Sequence, residues 1–403
     1  MKTIKRIAAL VLVAAMVLSL AACHKKNEIA VTVGDVEFTS AYYMCALIGA
    51  DSEAKSLVYE GLSDEEKNGY EAPDYYSKKV EDKDYVTWVE EKAMSELEKI
   101  AAYKTLSKEN KLEVDKDTLS QTESYVEYYW SSYGYSAYYE PNGVSYETYK
   151  NYMMDSNYAE LYFEHVYGEE GTKPVSKEDI KNKIYEKFII ANVLEATYEQ
   201  NATDDQKSAL KTKINDYAAA IKEGKMTFEQ AYNDYNNIKP EDTKEEEHDH
   251  DHEHEDATSS VADTSSNEET SSEATTSDAT SSETKEEEKK EEPTPKDKYA
   301  SILGAEGAEG YESDYYDDVK DLAVGEVKVI ELENSAGLAL VVKQDIKADE
   351  YYLTALDMTV RHMLKDDEFD KDIAEYIKKM EKNVSKYAIG QFKLKNIIEP
   401  SYQ

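Results

Sequence analysis

The sequence predicts an α+β protein, mostly helical, with a smaller α/β module inserted between two helical chain ends. Three observations predict this. Apolar residues recur at helical spacing within residues 29–174 and again within 348–403. Between them, strand, helix and hairpin signals succeed one another over residues 175–238 and 299–347. Residues 239–298 differ from both: they hold no aromatic residue and one large aliphatic, Val261, among Glu, Asp, Ser, Thr and Ala. Such a segment cannot offset its ordering entropy and is expected to be a disordered insert. Loop-closure cost grows only logarithmically with length, so an insert at a surface loop is tolerable.

The chain has 403 residues, enough for two or three domains, and 40% hydrophobic content allows real cores. Against 47 basic residues stand 86 acidic ones, a net charge of −39. That field repels nucleic acid and anionic lipid headgroups, which excludes both as direct partners. It suits a solvated surface that resists aggregation.

The N-terminus reads as a targeting signal, residues 1–22. Lys2, Lys5 and Arg6 precede an apolar run from Ile7 to Leu18, followed by Leu20-Ala21-Ala22-Cys23. Small residues before a cysteine resemble a bacterial lipoprotein signal, which implies lipidation of Cys23 and attachment to the extracytoplasmic face of the cell membrane. Two acyl chains supply the double anchor that stable attachment needs. No other apolar run approaches the roughly 20 residues of a spanning helix. Residues 23–28 are then a short tether. Cys45, in the apolar context Met44-Cys45-Ala46-Leu47, reads as a small buried hydrophobe, since no electropositive neighbour is apparent.

In the N-terminal segment, residues 29–174, Ile29, Val31 and Val33 alternate, Gly34-Asp35 turns the chain, and Val36 and Phe38 resume the pattern. Thr39 or Ser40 caps a helix through Tyr42-Tyr43-Met44. Residues 51–84 are polar and carry no clear assignment. A long helix follows, with Val86, Val89, Ala93, Leu97 and Ile100 on its buried face, and another from about Asp117 to Tyr129. Asn142-Gly143-Val144-Ser145 marks a turn and cap before a helix with Tyr149, Met153, Leu161 and Phe163. The chain holds 35 tyrosines against 6 phenylalanines, with clusters at Tyr125–Trp130 and Tyr133–Tyr139. Tyrosine combines a large apolar face with a polar tip, which suits a broad binding surface; equally, it can replace Leu and Phe as core filler. Not all residues around Trp130 can point inward from one helix, so some are expected at the surface.

The module begins with a strand-like run, Phe188-Ile189-Ile190-Ala191-Asn192-Val193-Leu194. A helix carries Leu210, Ile214, Tyr217 and Ile221 on one face, and Gly224 is placed to end it. Thr227 and Gln230 form a capping-box pair for a short helix. After the insert, Tyr311 and Tyr315 precede two strands, Val327–Leu332 and Leu338–Val342, around Asn334-Ser335-Ala336-Gly337. The expected order is strand, helix, short helix, helix, hairpin.

That order, with "GKMTFEQAYNDY", "LAVGEV" and "AGLALVVKQDI", resembles the parvulin peptidyl-prolyl isomerase domain. "VTVGDVEFTSAYY" and the flanking helices are similar to the chaperone segments of PrsA- and SurA-type extracytoplasmic foldases. The resemblance implies a chaperone domain built from both chain ends, residues 29–174 and 348–403, with the parvulin-like domain inserted. It implies that unfolded or newly exported polypeptides are the partners and that no cofactor is required; a homodimer stays open. The family's strand histidines correspond here to Asn192 and Ala339, so the catalytic residues are undefined, and the proline pocket would draw on Tyr311, Tyr315 and Leu338.

Within the insert lies Glu247-His248-Asp249-His250-Asp251-His252-Glu253-His254-Glu255. Four histidines, His248, His250, His252 and His254, alternating with carboxylates suit loose capture of zinc, nickel or copper, or are incidental to a solvated linker. A rigid metal centre needs ligands fixed by surrounding structure.

Four functions follow from these readings. The leading one is a membrane-anchored foldase or chaperone with doubtful isomerase activity. The others are an active prolyl isomerase, a metal-capturing surface lipoprotein, and a substrate-binding lipoprotein, for which repeated α/β units are absent.

Overall fold

The computed structural model describes residues 28–67, 74–199, 201–238, 294–308, 310–332, 336–390 and 392–399. The signal segment with Cys23, the histidine tract His248–His254, the rest of the insert up to residue 293, and Asn334-Ser335 of the hairpin turn lie outside these residues. The fold is α+β. Among the described residues no helix is long and apolar enough to cross a membrane.

The chain opens with a hairpin of β1 (Ile29–Val33) and β2 (Val36–Thr39), in which Gly34 takes the left-handed φ of +57° that the two-residue turn requires. Thr39 caps α1 (Ser40–Glu60), its hydroxyl accepting from the Tyr42 N–H at 3.2 Å. Every residue of α1 from Ala41 to Ile48 is buried, Cys45 completely, so the helix starts inside the core rather than lying on it. Burial raises the Cys45 thiol well above its ordinary range and keeps it a neutral packing group.

A tight hairpin follows, β3 (Lys79–Val80) and β4 (Lys83–Asp84), with Glu81 and Asp82 both left-handed in the turn. That conformation is strained for non-glycine residues, and the Trp88 indole N–H offsets the strain by donating to Glu81 Oε2 at 2.9 Å. Helix α2 (Tyr85–Glu109) buries Val89, Ala93, Leu97 and Ile100 as the spacing predicts, but the expected Val86 is 38% exposed. Tyr85 and Trp88 are the buried residues of the first turn instead, although Val86 is in phase with Val89 and Ala93.

Helix α3 (Lys116–Ser131) and the short α4 (Tyr135–Tyr139) carry the tyrosine clusters. Both readings of these residues apply to different members. Trp130, Tyr139 and Tyr149 interlock, with Tyr139 and Tyr149 ring centroids 4.7 Å apart, whereas Tyr125, Tyr128 and Tyr133 are exposed. Ser145 then caps α5 (Tyr146–Tyr167), accepting from the Thr148 N–H.

After α6 (Lys177–Lys187) comes the long strand β5 (Phe188–Thr197). Helix α7 (Asp204–Lys222) opens with a capping box between Thr203 and Gln206, and α8 (Phe228–Tyr235) with the expected one between Thr227 and Gln230. Gly224 between them is left-handed, at φ +67°. Past the insert lies a strand that the sequence order lacked, β6 (Ala300–Gly304). The helix expected near Tyr311 and Tyr315 is a single turn, α9 (Tyr316–Val319). The hairpin is β7 (Val327–Glu331) and β8 (Gly337–Gln344). These strands form one antiparallel sheet in the order β6-β5-β8-β7.

Helices α10 (Tyr351–Ala355) and α11 (Asp357–Ile377) precede β9 (Lys382–Val384), which pairs antiparallel with β1 and completes a β2-β1-β9 sheet. By contacts the described residues divide into two units: those up to Asn182 together with those from Asp357 onward, and Lys183–Leu356. In the first unit Arg361 on α11 is almost fully buried. Its guanidinium is paired with Asp357 and donates to the carbonyl of Tyr167, the last residue of α5, at 2.6 Å. A cation at that helix end meets the negative pole of the helix dipole.

Candidate functional site

Side chains alternate across a strand, so the β6-β5-β8-β7 sheet has two distinct faces. One face packs on α7 and α8 through Leu194, Ala196, Leu338, Leu340 and Val342 against Ile214, Tyr217 and Phe228. The other buries Ala191, Leu303, Ile330, Ala339 and Val341 with Val319 of α9. This second face is only partly covered, and its open part is the site.

The covering loop is fixed by Gly304. Its N–H donates to the Tyr311 carbonyl at 2.7 Å, and its own carbonyl accepts from Ser313 N–H at 3.1 Å. A Cβ at this position would lie 2.6 Å from Ala308 Cβ and 2.8 Å from the Tyr311 carbonyl oxygen, so the loop approaches this closely only because position 304 is glycine. Tyr311 is held edge-on against the buried Phe188 ring, with centroids 5.9 Å apart. Tyr315 reaches back across the sheet, and its O–H donates to Glu195 Oε1 at 2.5 Å. Burial, reinforced by the Glu195 carboxylate, raises the Tyr315 hydroxyl well above its ordinary range, so it stays a proton donor.

Together these residues enclose a cleft of about 370 Å³, lined by Val193, Glu195 and Leu303 on the strands and by Tyr311, Glu312, Asp314 and Tyr315 on the loop. It is a partly apolar trough with an aromatic wall and carboxylates at its rim. Its volume fits two or three residues of an extended chain or a small organic group.

The structure brings Tyr311 and Tyr315 together here but not Leu338. That residue lies on the opposite face, buried against α7 and α8, so it is no part of the cleft. Asn192 and Ala339 are likewise separated. Asn192 pairs with Val342 and Ala339 with Glu195, an odd offset along β8 that sends their side chains to opposite faces. Ala339 is buried on the cleft side, in the apolar layer, where its methyl group neither donates nor accepts. Asn192, also buried, donates through Nδ2 to Asp297 Oδ2 at 2.9 Å, while its Oδ1 has no partner among the described residues. Leaving that acceptor unmade costs about 1–3 kcal/mol, so Asp297 is the partner that makes Asn192 tolerable at all.

Sequence reasoning missed Glu195, the one charged side chain that the cleft face of β5 presents. Its signal was available: Glu195 is in phase with Ala191 and Val193 and out of phase with Asn192. Among the described residues no group of three or more His, Cys, Asp or Glu side chains is placed to hold a metal ion. The four histidines of the tract lie outside those residues. No protein-family model matches the chain, and no characterised protein is significantly similar to it.

Proposed function

We propose that the protein is a lipid-anchored extracytoplasmic foldase of the PrsA/SurA type, acting mainly as a holding chaperone. Cys23 would carry the anchor, unfolded exported polypeptides would be the clients, and the Lys183–Leu356 unit would be a parvulin-like domain with weak or absent isomerase activity. The observation that carries this reading is the cleft beside Tyr311 and Tyr315, which is partly aromatic and peptide-sized and lies on the sheet face where Ala339 is buried in the apolar layer. Prolyl isomerisation requires no covalent step; it requires a pocket that grips proline and polar groups that favour a twisted amide. The cleft offers an aromatic surface for the first, while its polar pair, Tyr315 and Glu195, is bonded to itself. The succession of β5, α7, α8 and an antiparallel hairpin, and the return of β9 to β1, support the same reading. So do the exposed tyrosines of α3, which offer apolar surface to an unfolded chain.

The test sets a proline-peptide isomerisation assay beside suppression of aggregation of an unfolded client. The expected result is suppression with little or no acceleration of isomerisation. Efficient isomerisation that disappears in a folded Tyr315→Ala variant would make the protein an enzyme instead.

A further inference from the structure

We propose that the cleft selects polypeptide segments in which a lysine or arginine lies next to a proline or small apolar residue. This rests on the peptide-binding reading above and adds the charge of the ligand.

The lining has two parts. Val193, Leu303, Tyr311 and Tyr315 supply its apolar part, with Leu303 buried and the other three half-buried. At the rim stand three carboxylates, Glu195, Glu312 and Asp314, and no lysine or arginine is among the lining residues. The nearest depression holds Lys187 and Lys320, but both ammonium groups are committed elsewhere. Lys187 donates to the Glu306 carbonyl at 3.2 Å and Lys320 to Asp317 at 2.7 Å. The rim carboxylates differ in their availability. Glu312 accepts from the Gly307 N–H at 2.6 Å and helps shape the loop. Glu195 spends one oxygen on Tyr315 and keeps the other. Asp314 is exposed on the same loop.

A cationic side chain beside a proline would meet the carboxylates while the ring enters the aromatic trough, and the faces of Tyr311 and Tyr315 would add attraction to the cation. An acidic neighbour would meet the same carboxylates as like charges. Each exposed pair is worth only a little, so the expected discrimination is modest, about fivefold to tenfold between a lysine and a glutamate at the same position. It is screened by salt.

The experiment uses the full chain and three dye-labelled peptides that share one proline-containing apolar core and differ by Lys, Gln or Glu beside the proline. Fluorescence anisotropy is read at low and at high salt, for wild type, Glu195→Gln and Asp314→Asn. Gln at 195 still accepts from Tyr315, and Asp314 is exposed, so at least one variant retains the cleft; far-UV circular dichroism checks this. The proposal expects affinity in the order Lys, Gln, Glu at low salt, a narrower spread at high salt, and a narrower spread in either variant. Equal affinities in wild type, or a spread that survives both substitutions, overturn the charge selection and leave peptide binding in place. No binding of any peptide overturns the cleft as a peptide site. The aggregation assay, which does not depend on the cleft, then decides whether chaperone function stands without it.

Discussion

Asn142 holds the backbone of Ile398 through two reciprocal hydrogen bonds: Nδ2 donates to the Ile398 carbonyl at 2.9 Å, and the Ile398 N–H donates to Oδ1 at 2.8 Å. The amide thereby imitates a strand partner for one residue of the C-terminal stretch, and Nδ2 also caps the Tyr138 carbonyl at 2.7 Å. Asn142 is buried, so removing its side chain leaves these backbone groups without their partners. Asn142→Ala should destabilise the first unit by about 2–3 kcal/mol. Denaturant unfolding checks the magnitude, and limited proteolysis should show cleavage within residues 392–399 first. An unchanged midpoint would mean that solvent replaces all three bonds.

His362 gives that unit a pH dependence. Its ring stacks on Phe163 with centroids 3.8 Å apart and lies between Glu160, at 2.9 Å from Nε2, and Asp366, at 2.7 Å from Nδ1. The Glu160 hydrogen bond, aided by Asp366 and opposed by partial burial, raises its pKa from 6.5 to about 9. A folded-state pKa above the unfolded one favours the protonated native form. The contribution is therefore complete below about pH 6.5 and lost as pH rises through about 9. The ring is about a third exposed, which screens the effect to about 1 kcal/mol. Thermal midpoints at pH 6 and pH 9.5 should fall further apart in wild type than in His362→Gln.

Gly304→Ala should open the cleft without unfolding the sheet. The added methyl group meets Ala308 and the Tyr311 carbonyl, so the loop must move, at a cost of about 1–3 kcal/mol. Tyr315 would lose its hold on Glu195. Peptide affinity should drop by about tenfold or more while far-UV circular dichroism barely changes, and the titration of Tyr315 should return toward that of a free phenol.

Membrane attachment rests on Cys23 in the sequence reading. Cys23→Ser should give either protein released from membranes or an unprocessed precursor, seen by fractionation and intact mass. Normal processing with full membrane retention would end the lipoprotein reading.

Local chemistry was the most legible part of the sequence. Thr39, Ser145 and Thr227 cap the helices as their positions suggested, and Gly34 and Gly224 turn the chain where left-handed backbone is needed. β6 was not legible, because a five-residue strand with only Ile302 and Leu303 as large apolar residues owes its form to pairing with β5. The candidate site was half legible. Tyr311 and Tyr315 were named through the resemblance to the parvulin domain, but the roles of Leu338, Asn192 and Glu195 depend on which face each occupies. Register decides that, and register needs the partner strand. The clamp from Asn142 to Ile398 and the bond from Arg361 to Tyr167 join residues far apart in the chain, which no local pattern announces.

The pairing of β9 with β1 also constrains when the protein can mature. Synthesis delivers β1 and β2 first, yet the strand that flanks β1 on its other side comes only with residues 382–384. Until then β1 presents a bare row of backbone donors and acceptors, the kind of edge that recruits foreign strands. The β6-β5-β8-β7 sheet is complete once Gln344 has appeared, so it can settle while the first unit still waits. The last unit to close is therefore the one whose beginning was made first. Its assembly carries the high contact order that slows folding and lengthens the exposure of that edge.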